Sequence, residues 1–440
     1  MDDKWQRARI IPVVGTGAGN EREQRATSAL LAVLSIVRTL SIDLLSPLGA
    51  SRAGAARVDT YVEPPFKLAD KTTSRPDGLI EVRYGNQSPW TALVEVKTGN
   101  SVLTAEQVNR YIEIARGEGY QAVITISNEI APSEGQHPTA GLKVRKGSKV
   151  AVHHFSWTRI ANVASRIKAR TRESDPEQAW LVDELLRYLE HASSGAVELD
   201  DMGPDWVNAR ELVRTGSLTR TDPNATDIAQ RWDKFLTYAA LKLGMRVNAD
   251  VQEKLPRAEQ EDVNVRTKRF VTQLCESGVL TGELIVPQSI GELNVSVDLR
   301  ARLTSISTTF RAPEDKKARG SISWLVRQLA DAPGSIEIGA FARNSRSPVV
   351  ATLAALRDDA NVMAAELPGD VAKFTVTMRS ELGMGRRSAR TSGFIESVLD
   401  AVYSFYEQVH QELVAYQPRA PQAQAKSGNA ESLELGSVTD

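Results

Sequence analysis

The chain has one cysteine, Cys275, in 440 residues, so it can neither close a disulfide within itself nor build a cysteine-ligated zinc site. A single thiol fits a reducing compartment. Histidine is also sparse. Of the five, only His153 and His154 are close in sequence, and consecutive side chains on a strand face opposite ways, which argues against a zinc pair. Neither sign of charge is in excess: 54 Lys plus Arg against 55 Asp plus Glu leaves a formal net charge of -1. Any nucleic-acid surface must therefore be a local patch. Long apolar runs are missing too, since the longest, ALLAVLSIV at 29–37, is far too short to cross a bilayer. The opening MDDKWQRARI carries acids and no apolar h-region. These absences lead us to expect a cytoplasmic protein with no secretory signal and no membrane partner.

What remains is an ordinary globular balance, 41% hydrophobic and 25% charged, in a chain long enough for two or three domains. No repeat at a fixed period is present. Residues 9–14, RIIPVV, read as a short strand or extended lead-in, followed by GTGAGN and a helix whose Glu23, Thr27, Leu30, Leu34 and Val37 make one stripe. RPDGLIEVRY and WTALVEVK flank the turn GNQSP and predict an antiparallel hairpin. A helix from about Thr104 to Arg116 ends at GEG, and the strand QAVITIS follows. Helix, strands, helix, strand is the order of a mixed α/β sheet flanked by helices. We expect this unit to span 1–170, a polar helical linker 171–225, a second α/β or α+β unit 226–417, and a disordered tail 418–440 rich in Pro, Ala, Gln and Ser.

Chemistry concentrates on the hairpin. Asp77 begins one strand and Glu95 lies near the end of its partner, while Glu95 and Lys97, two apart, share a strand face. Glu95 interrupts the apolar pattern ALVEV on a strand that otherwise reads as buried. Burying an unpaired carboxylate costs several kcal/mol. Asp77, Glu95 and Lys97 thus need one another, solvent or a cation. Magnesium suits two converging acids because it takes one or two carboxylates and keeps waters able to attack a phosphodiester. Lys97 then serves as a point charge beside that water or the phosphate.

Pro76-Asp77 followed by Glu95-Val96-Lys97 resembles the PD-(D/E)XK, or restriction-endonuclease-like, nuclease superfamily over roughly residues 1–165. The resemblance implies that Asp77 and Glu95 bind magnesium (manganese substituting), that the Val96 carbonyl assists, and that Lys97 aids the water. Gln107 and Tyr111 are similar to the Q-x-x-x-Y pattern of exonuclease-like branches, which implies a substrate-binding role on the next helix. An acid of the first helix, Glu23, is implied as a further metal ligand. We therefore expect a magnesium-dependent nuclease, with double-stranded DNA favoured over RNA. Its layout resembles restriction or anti-phage effectors, with target selection, a partner protein or homo-oligomerisation assigned to the second unit.

Plainer readings stand beside these. Pro-Asp-Gly is a common turn, Glu95 and Lys97 suit the exposed face of an ordinary strand, and Gln107 with Tyr111 suits a polar helix face. Asn20 with Glu23 at N3 is close to a capping box, and Glu21 is the fallback acid. GTGAGN has the glycines of a dinucleotide loop at Gly15, Gly17 and Gly19. Asn20 stands where the third required glycine would be and no P-loop lysine follows, so it reads as a flexible lead-in. Basic clusters at Lys143, Arg145, Lys146 and Lys149, at Lys316, Lys317 and Arg319, and at Arg386, Arg387 and Arg390 each suit a phosphate backbone or a solvated face. The rival to the enzyme is a non-catalytic nucleic-acid-binding or regulatory protein that retains the nuclease fold.

Overall fold

The computed structural model describes residues 5–10, 21–50, 55–68, 71–131, 136–142, 147–196, 199–387 and 393–418. The GTGAGN segment with Asn20, the basic residues Lys143, Arg145 and Lys146, Arg390, and the tail from residue 419 lie outside these. The first unit runs β1 (Gln6–Arg7), α1 (Glu21–Ile36), α2 (Arg38–Leu45), β2 (Arg57–Val62), β3 (Phe66–Lys67), β4 (Thr73–Ser74), β5 (Gly78–Arg83), β6 (Trp90–Val96), α3 (Ala105–Glu118), β7 (Ala122–Ser127), β8 (Ala151–Ser156), α4 (Trp157–Thr171) and α5 (Pro176–Glu190). Its six-stranded sheet has the order β1-β2-β5-β6-β7-β8, antiparallel as far as β6 and parallel from β6 to β8. This is the expected mixed sheet flanked by helices, and β5–β6 is the expected hairpin.

Both faces of the sheet are covered, which explains the continuous apolar β7. Ala92, Val94 and Val96 of β6 meet α1, α2, α4 and α5 on one face, while Leu93 meets α3 through Val108, Tyr111 and Ile112 on the other. α3 starts at Thr104, whose hydroxyl accepts from the Gln107 amide, and stops at Gly119 with φ 74°, a left-handed cap that glycine takes without strain.

The second unit comprises α6 (Trp206–Thr215), α7 (Pro223–Val247), β9 (Gln252–Glu253), α8 (Arg257–Glu261), α9 (Val263–Glu276), β10 (Val279–Ile285), β11 (Leu293–Asp298), β12 (Leu303–Arg311), α10 (Ala318–Gln328), β13 (Glu337–Ala342), β14 (Val349–Thr352), α11 (Leu353–Asp358), α12 (Asn361–Ala364), β15 (Val371–Glu381) and α13 (Phe394–Gln408). Its antiparallel sheet has the order β14-β13-β15-β12-β11-β10-β9. Trp206, Trp232, Phe235 and Phe394 form an aromatic centre between its helices.

One boundary moves. The stretch 171–225, expected to bridge as a linker, is divided between the two cores. Val182, Leu185, Leu186 and Leu189 of α5 belong to the first, and Trp206, Ala209 and Val213 of α6 to the second. Its polar composition reflects helices buried on a single stripe, which sequence alone does not separate from a solvated bridge. The two units meet along α4 and α7. There the Asn162 amide donates to the Leu241 carbonyl at 2.8 Å, and Arg166 pairs with Asp250 at 3.0 Å. Among the described residues no single helix is long and apolar enough to cross a membrane.

Gly244 lets this seam close. A Cβ there would lie 2.7 Å from the Ala249 carbonyl oxygen and 2.7 Å from the Asn162 amide nitrogen. Gly244→Ala is therefore expected to destabilise the protein by about 1–3 kcal/mol, the usual range for overpacking. A lowered urea midpoint in equilibrium unfolding is the check, and an unchanged midpoint would mean the seam has slack.

Candidate metal centre

β5 and β6 pair with Gly78 opposite Val94 and Leu79 opposite Leu93. One step further along that register sets Asp77 beside Glu95. Two carboxylates thus meet at the carboxyl end of β6, where the parallel half of the sheet begins, the usual place for a crevice in such sheets. Glu95 is only 1% exposed. Its Oε1 accepts from Lys97 Nζ at 2.7 Å and from the Gln107 side-chain amide, while its Oε2 is buried with no hydrogen-bond partner among the described residues. The Val96 amide donates to Asp77 Oδ2 at 2.7 Å.

Glu23 comes from the first turn of α1 and is buried. It pairs with Lys97 at 3.4 Å and lies 3.5 Å from the Thr98 amide. Its carboxylate therefore reaches across the unit instead of folding back on its own helix. Glu21, the fallback acid, is exposed and pairs with Arg25. Lys97 lies between Glu95 and Glu23. Burial opposes its charge, yet Glu95, Asp77 and Glu23 together hold its pKa above the ordinary lysine value. Asp77 moves well above the usual carboxylate range, because its carboxylate is buried and then because Glu95 stands beside it. The Val96 amide and Lys97 oppose that rise, and Glu23 adds to it.

The set fits a hard cation in two respects. The unpartnered Glu95 Oε2 needs a donor or a positive charge, and the repulsion that lifts Asp77 is the kind a divalent ion relieves. It departs from a ready-made cage in another. Among the described residues no group of three or more Asp, Glu, His or Cys is placed to hold a metal. Glu23 is instead paired with Lys97 at 3.4 Å. A cation here would take Asp77 and Glu95 as ligands and fill its shell with water, as magnesium commonly does.

Gln107 and Tyr111 sit differently from the substrate-facing pair implied by the resemblance. Gln107 is turned onto Glu95, and Tyr111 is buried on the same side of the sheet. Burial and the charge of Glu95 push the Tyr111 hydroxyl upward, so it stays protonated. Both residues hold the glutamate in place.

The row continues further than the sequence indicated. Glu95 is in register with Thr125 of β7, and Thr125 with His154 of β8. Thr125 Oγ1 lies 2.7 Å from His137 Nε2 and 2.9 Å from His154 Nδ1. The ends of this chain define its polarity. The Thr139 amide donates to His137 Nδ1, and His154 Nε2 donates to the Glu129 carbonyl at 2.8 Å. Accepting at Nδ1 makes the His137 ring neutral and its Nε2 the donor to Thr125, while the single Thr125 hydroxyl proton is shared between His154 Nδ1 and the His153 carbonyl at 3.2 Å, and burial disfavours the charged form of His154. The array pins the connection between β7 and β8 beside the acids. No spacing rule could have found it, because His137 belongs to a loop and only the fold brings it to Thr125.

The basic clusters separate. Arg386 grips Asp201 through two hydrogen bonds of 2.7 and 2.8 Å, and Arg387 reaches the same acid at 3.2 Å. Asp201 is held down to about 2, chiefly by the Arg386 hydrogen bond. This pair is a clamp between distant segments, an engagement that neither a phosphate contact nor a solvated face describes. Lys149 is exposed. No protein-family model matches the chain, and no curated protein matches its sequence.

Burial lowers both His137 and His154 to about 4. Their unfolded value is near 6.5, so between about 6.5 and 4 the unfolded chain binds more protons. The stability due to the array is complete above that window and is lost as pH falls through it. Thermal unfolding at pH 7.5 and 5.0 checks this. His154→Gln is expected to lower Tm at pH 7.5 and to shrink the loss between the two pH values. An unchanged difference would show that other groups carry the acid sensitivity.

Proposed function

We propose that the chain is a magnesium-dependent nuclease of the PD-(D/E)XK kind, hydrolysing phosphodiester bonds with DNA favoured over RNA. The observation that carries this is the juxtaposition of Asp77 and Glu95 across the β5–β6 register, with Lys97 against Glu95. Asp77 and Glu95 would hold the metal. Magnesium, when bound, supplies a Lewis acid and an activated water. The chain's own residues do the rest. The Val96 amide orients Asp77, while Gln107 and Tyr111 keep Glu95 from turning away. Lys97 would present its ammonium to the phosphate. A cytoplasmic location and a place in restriction or anti-phage defence belong to the same proposal, the latter by analogy of layout alone.

A second reading has one observation in its favour. Lys97 is already engaged by two carboxylates, an ion-pair network that forms without any metal ion. That would suit a nucleic-acid-binding protein that keeps the fold and does not cut.

Purified protein incubated with supercoiled plasmid, linear DNA and RNA, with magnesium or with EDTA, separates the two. The nuclease cuts only with the metal. Asp77→Ala, Glu95→Ala and Lys97→Ala are each expected to lower the rate by on the order of 10³-fold or more, and to combine without adding, because they act as one unit. Undiminished cutting by Glu95→Ala would end the assignment. Absence of cutting, with no magnesium heat in titration calorimetry, would favour the non-catalytic protein.

A further inference from the structure

We propose that one end of the second sheet, where β12 finishes, β15 begins and β13 turns into β14, grips the phosphate backbone of a nucleic acid, which rests on the nuclease reading for its substrate class. In the register of this sheet Arg311 lies opposite Lys373, and Lys373 opposite Phe341. Their neighbours Phe310, Phe374 and Ala340 are in the core, so alternation turns Arg311, Lys373 and Phe341 to the outer face. Lys373 Nζ lies 4.4 Å from the centroid of the Phe341 ring, which supports the lysine stem and leaves its charge outward.

Two turns bring more cations to this end. Arg343 and Arg346 lie between β13 and β14, beside the first residues of β15. Arg319 is on the first turn of α10, which is tied here because the Ala318 amide donates to Asp370 at 3.2 Å. Among the described residues no carboxylate pairs with Arg311, Arg319, Arg343 or Arg346. Acids are present, yet engaged in part. Asp370 takes Lys317 at 3.2 Å and Asp315 accepts from the Tyr416 hydroxyl, while Glu314 and Glu366 are exposed. In a chain of formal net charge -1, four unpaired guanidinium groups at one sheet end are a local concentration of positive charge.

The face beside them favours a backbone over a protein partner. Thr309 and Thr375 lie opposite each other with hydroxyls 2.8 Å apart, and Ser307 faces Thr377 in a parallel row. Hydroxyls next to free guanidinium forks suit phosphate and sugar oxygens. A protein interface would call for a buried apolar anchor, and this face offers only the half-covered Phe341 and the exposed Val350.

The test measures binding apart from cutting, in full-length Glu95→Ala protein, by fluorescence anisotropy of a labelled duplex over a range of salt concentrations. Arg311→Glu with Lys373→Glu, and Arg343→Glu with Arg346→Glu, are each expected to weaken binding at least tenfold at low salt. Each pair should also reduce the slope of log affinity against log salt by roughly two, the loss of about two phosphate contacts. Arg257→Glu, on a distant helix, should change neither. Gln in place of Glu at the same positions keeps the measurement available if charge reversal unfolds the domain, which circular dichroism reports. Unchanged affinity and slope in all these variants would overturn the proposal, as would poly-glutamate competing as well as DNA of equal charge. If the parent chain does not cut but binds DNA through these arginines, the nuclease reading fails and this surface stands. If the parent chain cuts and the variants bind as before, the surface fails alone.

Discussion

A carboxylate that is almost wholly removed from water governs the first unit. Glu95 is placed on a strand whose alternate residues Ala92, Val94 and Val96 seal one face of the sheet, so the strand cannot retreat to solvate it. The cost of such a charge has to be offset locally. The surroundings do this from two sides: Lys97 just beyond the strand, and Gln107 and Tyr111 on the helix above. Asp77 makes the arrangement worse electrostatically, and its raised pKa records that. Two acids kept together against their repulsion, with one oxygen unpartnered among the described residues, are what the proposed metal site rests on.

The same row of the sheet links that site to its support. Because β6, β7 and β8 are parallel and in register, Glu95, Thr125 and His154 fall in line, and His137 is fastened to Thr125 in the middle of that line. Nearby, the Asn128 amide bonds both the Gly99 and Gly195 carbonyls at 3.0 and 2.9 Å, joining the segment after Lys97 to the segment after α5. Trp157 donates to the Lys97 carbonyl at 3.0 Å from the start of α4, and α4 is the helix that seats the second unit. Chains of hydrogen bonds of this kind connect the acid cluster physically to the seam between units.

Much of the first unit was readable in sequence because its signals are local. The hairpin came from two apolar runs around a Gly-Asn-Gln-Ser-Pro turn, and α3 from its spacing and its Gly-Glu-Gly stop. The proximity of Asp77, Glu95 and Lys97 followed from strand geometry alone. Glu23 was left divided between a cap and the site, and the fold resolved its position: a helix turn carries no record of which distant strand end it will face. Gln107 and Tyr111 share one helix side, and the turn of Gln107 onto Glu95 came only from the fold, since a helical stripe specifies a direction and not what lies opposite.

The chain by itself determined the element types, the mixed sheet and the pairing of acids on neighbouring strands, because these depend on periods of two and of about three and a half residues. Tertiary structure decided the rest. It divided 171–225 between two cores, tied Arg386 and Arg387 to Asp201, gathered His137 onto Thr125, and left Arg311, Arg343 and Arg346 without a carboxylate partner among the described residues at a sheet end. Each of those outcomes depends on residues far apart in sequence. A charged side chain reads the same whether its eventual neighbour is a carboxylate, a hydroxyl or water, and only the packed chain supplies that neighbour.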